Sequence, residues 1–343
     1  MGDSAVLSGI GLGNMYMNLV PYAILIGVNT ALETLVSQAW GRRDLVECGL
    51  LLHRSVFIIS CLFVPIAVSV FYIEDFFVMI GLSAEPAMHA QRYLKLLIPC
   101  MLMNAVGDAI DLFLIAMGYT QIVLYVQITV IFFHLMACWL CVSVYGLGIG
   151  GAAIASNLTA LLTIIIQIGY MRKREDLSRA WFLPNKAMFQ NLGQFIGMAM
   201  PGILMLTIEN LNMEILVLFA GLMHSDDTLA ACVMLVAFGQ FTIMIPYGMA
   251  LANVAMVGHA LGANKPQEAK RNTVLVMVVS IVVAITVALI LFILKDGLLL
   301  LYASRDNPVI ISEAQSAFLC FIVAMTFDWT QCNTSGVIKA AGL

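Results

Sequence analysis

Charge is what this sequence has least of. Its 343 residues hold 16 Lys and Arg and 20 Asp and Glu, so 10% are charged while 62% are hydrophobic. A soluble domain carries about 25% charged residues, and the deficit excludes a water-soluble globule. The net charge of −4 is too small to point to nucleic acid. The opening residues MGDSAVLSGIGLGN lack a basic stretch, so no cleavable signal peptide is read there. Val6 breaks the myristoylation pattern that Gly2 would begin. The eight cysteines are scattered and imply no disulfide framework. Cys138 and Cys141 form a CxxC around Trp139 and Leu140 inside an apolar run, a setting for packing rather than for redox or zinc chemistry.

Enzyme motifs are missing as well. There is no HExxH, no paired Asp motif flanked by glycines and no Ser/His pair at matching depth, which argues against an intramembrane enzyme. Asp108 and Asp111 are the one enzyme-like pair. The glycine runs Gly9-Gly11-Gly13 and Gly146-Gly148-Gly150-Gly151 precede no GK[ST], so no nucleotide is implied. They are expected to permit tight turns or close helix contact. No cofactor and no metal is expected.

What the chain has in abundance is long apolar runs. Nine are long enough to span a bilayer, near 10–36, 52–73, 90–118, 122–145, 148–171, 195–222, 228–257, 273–301 and 312–338. Their continuity predicts helices; barrel strands would alternate. Basic residues collect after odd-numbered spans: Arg42 and Arg43, then Arg172 to Lys186, then Lys265, Lys270 and Arg271, then Lys339. The alternate loops carry Glu74, Asp75, Glu85, Asp226, Asp227 and Asp306. Odd-numbered spans are therefore expected to end in the cytoplasm. The polar stretch 172–194 reads as a cytoplasmic linker between an N-terminal lobe, 1–171, and a C-terminal lobe, 195–343.

An internal repeat supports two lobes. Setting Ala39-Trp40-Gly41 on Ala260-Leu261-Gly262 also sets Gly27 on Gly248 and Ala31 on Ala252. A weaker echo sets Ala116-Met117-Gly118 on Ala340-Ala341-Gly342. The copies are six spans apart, an even number, so they cross in the same direction, a plan common among transporters. The expected fold is an all-α polytopic membrane protein of two parallel pseudo-repeated lobes. A six-span unit leaves the first lobe without its first helix and the second without its last two. The chain is accordingly expected to be a fragment or truncated form, about nine spans of twelve.

The chemistry lies in the intramembrane acids. A charge at mid-bilayer costs at least about 2.5–3.5 kcal/mol, yet the stretch Met198 to Gly221, which reads as one spanning helix, keeps both Glu209 and Glu214. Five residues apart, they sit about 140° around the helix and cannot share a face. Glu209 is the better candidate for a central site. Asp328 lies mid-span with Gln331 one turn on and Asn333 nearby, a pattern of a hydrated cavity. Asp108 and Asp111, three apart, share a helix face; they either line a cavity or bridge to Arg92 or Lys95. Glu33 and Gln38 belong to the repeated stretch and fit a gate or packing role. Asn210 and Gln240 complete the cavity or gate candidates. His134 reads as a packing residue, Pro201 and Pro246 as helix bends. The Asn157 and Asn333 glycosylation patterns fall in or near spans and are not expected to be modified.

The stretches ALETLVSQAWG (Ala31 to Gly41), GLGIGGAAIA (Gly146 to Ala155), AMPGILMLTIENLNMEI (Ala199 to Ile215), IPYGMALANVAMVGHALGA (Ile245 to Ala263) and FDWTQCNTSGVIKAAG (Phe327 to Gly342) occur in an order that resembles the multidrug and toxic compound extrusion (MATE) transporters, eukaryotic type. The resemblance covers nearly the whole chain. It implies a two-lobed twelve-helix exporter that exchanges an organic cation or other amphiphile for protons or sodium. It places the cation-coupling acids on Glu209 and Asp328, with Glu214 as neighbour. The first family helix, which bears a coupling Asp in many bacterial members, is absent here. The implied partners are a small organic cation or amphiphile and the lipid bilayer, with no nucleic acid and a monomeric state, in the plasma membrane or a vacuolar-type endomembrane. Two alternatives stand beside it: a lipid-linked precursor flippase of the same superfamily, which would favour a basic cavity, and a non-functional truncated transporter.

Overall fold

A computed structural model describes residues 2–222, 226–302 and 308–342. Among the described residues every regular element is a helix. Nine helical stretches among the described residues are long and apolar enough to cross a membrane, and each overlaps one expected from the sequence. The contacts divide the chain into two compact units, Met1–Thr207 and Ile208–Leu343. The dividing point falls inside a helix rather than in a loop.

The first unit begins with α1 (Gly2–Met17), a π-helical turn (Asn18–Tyr22) and α2 (Ala23–Gly41), which together form one bent span. Pro21 sits in the π turn. Its missing N–H removes a helix bond there, a recurrent cause of kinks. α2 is the hub: Val28, Leu32, Val36 and Ala39 are all fully buried. Around it pack α3 (Leu45–Ser69) and α5 (Ala84–Ala116), with α4 (Ile73–Met79) between them in sequence. α6 (Thr120–Cys138) and α7 (Gly148–Lys173) follow, joined through a second π segment, Trp139–Val144, and a turn.

Between membrane helices lipid is as apolar as leucine, so close packing and polar contacts hold the unit together. Gly9 and Gly13 on α1 lie against His89 and Tyr93 of α5. Asn29 of α2 donates from Nδ2 to the Ala105 carbonyl of α5 at 3.2 Å and accepts from Ser55 Oγ of α3 at 3.0 Å. One buried amide thus ties three helices. Gly146, in the turn before α7, and Gly148, its first residue, take φ of 63° and 54°, a backbone that favours glycine.

The linker is docked. α8 (Glu175–Ala180) lies on α3, where the Ala180 carbonyl presses on Gly49. His53 donates to the Phe182 carbonyl at 2.8 Å, and Phe57 meets Phe189 edge-on at 5.1 Å. Trp181 packs beside His53. The aromatic residues of 172–194 are thus spent on α3.

α9 (Leu192–Leu222) contributes its first part to this unit. Its Gly202 abuts Thr30, and a Cβ on Gly27 would stand 2.5 Å from the Ile203 Cα. Backbone meets backbone at that crossing. Pro201 is accommodated without a break in α9.

The second unit continues α9 and adds α10 (Asp226–Thr242), α11 (Met244–Gly262), α12 (Pro266–Tyr302) and α13 (Pro308–Ala341). Pro266 and Pro308 open their helices, where a missing N–H costs nothing. α10 and α11 form one span broken at Ile243, three residues before Pro246. Trp329 and Phe318, both fully buried, anchor α13 in apolar clusters. Asn253 of α11 donates to the Asn333 carbonyl of α13 at 3.2 Å.

The repeat is written in the backbone. After α2, Arg42 N–H bonds the Gln38 carbonyl, Arg43 N–H the Trp40 carbonyl and Asp44 N–H the Ala39 carbonyl. After α11, Ala263, Asn264 and Lys265 bond His259, Leu261 and Ala260 in the same pattern. The fainter echo also has a counterpart. Gly118 and Gly342 end α5 and α13 at φ of 85° and 79°, and their N–H groups bond Ile115 and Lys339.

Candidate functional site

Two clusters of intramembrane polar groups stand out, one in each unit. In the second, α13 presents Asp328, Gln331, Cys332 and Lys339 at three-, four- and eleven-residue offsets, which fall on one helix face. Glu209 of α9 meets this face. The Gln331 amide hydrogen-bonds its carboxyl, and Lys339 and Asp328 lie within its electrostatic reach. Cys332 sits among the same three charges. Asp328 is half-buried, while Glu209 is exposed. Two acids from different helices, one amide and one ammonium therefore share a single neighbourhood.

Such a set can hold one positive charge more readily than none. Opposite charge and donated hydrogen bonds favour an ionised carboxylate, whereas a second acid and low dielectric disfavour two. A proton or an organic cation can each supply that positive charge. The sequence reading joined Glu209, Asp328 and Gln331 but took Lys339 only as a topological marker. Its offset of three helical turns from Asp328 is the signal that would have found it.

In the first unit the organising group is Asp111 of α5, 8% exposed. Its Oδ1 accepts from Gln167 Nε2 of α7 and its Oδ2 from Gln127 Nε2 of α6, both at 2.7 Å. Gln167, wholly buried, also reaches the Gly107 carbonyl at 3.1 Å. Asp108 is half-buried one turn away. The bridge to Lys95 is not formed: Lys95 bonds Gln91 at 2.6 Å and stands over the Phe71 ring. Gln127 and Gln167 escaped the sequence reading because single glutamines in apolar spans carry no spacing signal.

The other candidates stand apart. Glu33 is buried in α2, 2% exposed, and Gln38 is half-buried in its last turn. Asn210 is half-buried beside Glu209, and Gln240 is exposed near the end of α10. The side chain of Glu214 lies outside the described residues. His134 bonds Thr159 at 2.9 Å and Cys138 at 3.4 Å, within the α6–α7 packing. Asn333 is fully buried and bonds the Trp329 carbonyl. Among the described residues no three His, Cys, Asp or Glu gather as a metal site.

A family model described as MatE matches residues 1–140 and 201–343. Protein DETOXIFICATION 16 of Arabidopsis thaliana is 25% identical over 341 residues, which cover 99% of this chain and 70% of the relative. Protein DETOXIFICATION 17 of the same organism is 28% identical over 340 residues, covering 99% and 71%. Among solved structures, the eukaryotic MATE transporter AtDTX14 superposes with a TM-score of 0.90 at 23% identity, over 98% of this chain and 75% of that one. An outward-facing multidrug resistance MATE family transporter does so at 0.82 and 16% identity, over 99% and 75%. Nine helical stretches among the described residues that are long and apolar enough to span, together with the family match, mark an integral multi-pass membrane transporter and not an enzyme. The chain belongs to the MatE family of multidrug and toxin efflux transporters and sits with its eukaryotic members.

Proposed function

We propose that the protein is a secondary antiporter that exports organic cations or other amphiphiles in exchange for protons, with sodium as the other candidate ion. The observation that carries this reading is Glu209: an acid inside a span, bonded by Gln331 and sharing its surroundings with Asp328 and Lys339. When Glu209 and Asp328 are ionised they hold a cationic cargo; when protonated they release it. The lobes 1–171 and 195–343, joined by the linker 172–194, alternate the site between the two sides. The Asp108–Asp111 pair lines the first lobe as a second polar station. Asn210 and Gln240 line the path. Glu33 and Gln38 act at its gate. The membrane is the plasma membrane or a vacuolar-type endomembrane, and the working form is a monomer.

The test is efflux of a fluorescent organic cation from proteoliposomes under imposed pH or sodium gradients. Glu209→Gln abolishes gradient-driven efflux, and Asp328→Asn lowers it at least tenfold. Efflux by Glu209→Gln at the parent rate sinks the reading. A response to sodium alone reassigns the ion.

A further inference from the structure

The geometry points to a binding site for an anionic phospholipid headgroup at the end of the first unit where α6 begins and α7 ends. A recess of about 420 Å³ lies there, lined by Tyr119, Thr120, Gln121, Tyr125, Tyr170 and Arg174 among others. None of its lining residues is an acid. Tyr119 is held between two partners: Trp40 packs edge-on at 6.0 Å, and the Arg174 guanidinium stands over its ring at 5.7 Å. The aromatic stack fixes the guanidinium at the mouth, as arginine's planar head favours.

The surrounding charge has one dominant sign. Arg42 and Arg43 follow α2, and Arg172 and Lys173 close α7, all exposed. The acids at this end whose side chains are described have other duties. Asp44 accepts from Glu47 N–H at the start of α3, Glu47 pairs with Arg54 at 2.7 Å, and Glu175 opens α8 and has a partner of its own. The first turn of α6 adds the positive end of a helix dipole. Arginine, phenolic and hydroxyl donors together match phosphate oxygens.

Depth selects a lipid over a soluble anion. By the basic-loop pattern this end faces the cytoplasm, the leaflet rich in anionic lipid. Further along the same two helices, Ile128 and Phe132 of α6 and Leu161 and Ile165 of α7 are exposed, an apolar wall for acyl chains. Tyr125 and Tyr170 sit at the boundary, where amphipathic rings belong.

The test is native mass spectrometry of the purified full chain with phosphatidylglycerol, phosphatidylcholine or inorganic phosphate. The parent protein retains phosphatidylglycerol about tenfold over phosphatidylcholine, as one charge-assisted contact predicts. Arg174→Gln loses that preference, Arg174→Lys keeps part of it, and Arg179→Gln, an equal charge change in the linker, keeps all of it. Equal retention of the two lipids by the parent overturns the site, and this arm needs no variant. So does an equal loss in Arg174→Gln and Arg179→Gln, which reads diffuse charge only. Binding of inorganic phosphate that displaces phosphatidylglycerol reassigns the recess to a soluble anion and overturns the lipid.

Discussion

Arg43 and Asn264 adopt the same left-handed backbone, φ 61° and 57°, at the same step of two identically bonded turns. Neither is glycine, so each turn carries a steric cost that the flanking helices impose. Asn264→Gly is therefore expected to leave the melting temperature in detergent unchanged or slightly raised. Asn264→Val, β-branched at positive φ, is expected to destabilise by about 1–2 kcal/mol. Equal melting of the two variants contradicts the strained turn.

The Gly27–Ile203 and Gly202–Thr30 crossing has no room for side chains. Gly27→Val is expected to cost at least about 1–3 kcal/mol by overpacking and to lower the yield of folded protein. Gly248→Val, the sequence-equivalent glycine, has open space at its Cβ and is expected to be mild. Size-exclusion profiles of the pair compare the two directly.

Asp111 accepts two amide donors from two different helices. Asp111→Ala leaves both unsatisfied and is expected to destabilise by about 3–5 kcal/mol, more than Gln127→Ala at about 1–2 kcal/mol. A double-mutant cycle on melting should show that the second loss is largely contained in the first.

Lys339 stands by Glu209 as the cation of the α13 face. Lys339→Met strips a charge from one side of an intramembrane pair and is expected to lower both stability and export rate. Adding Glu209→Gln should recover part of the stability, because the carboxylate that Lys339 offsets is then neutral as well, while export stays lost. Full additivity in the melting data contradicts the coupling.

His53 holds the linker through the Phe182 carbonyl. His53→Ala is expected to speed tryptic cleavage at Arg179 and Lys186 several-fold without altering cleavage at Arg271, read by timed digestion.

The spans were legible because apolar runs of membrane length leave few alternatives, and the loop charges ordered them. The repeat was legible in a handful of residues, since Gly41 and Gly262 end helices whose reversals match bond for bond. Glu209 and Asp328 stood out because acids in oil are rare. Less could be read where partners are ordinary: Gln127, Gln167 and Lys339 gain meaning only from the helix packed against them. The broken span at Ile243 was read as a bend at Pro246, three residues on, because the helix yields before the proline ring rather than at it. The polar stretch 172–194 reads from its composition only as a linker, and nothing in it announces that Trp181 and Phe182 find His53 and α3.

The glycine crossing of α2 and α9 carries one more consequence. A Cβ added at Gly27 would meet the Ile203 backbone and not the far end of a flexible side chain. No rotamer change can absorb it, so even a single added methyl group must be taken up by parting the two helices.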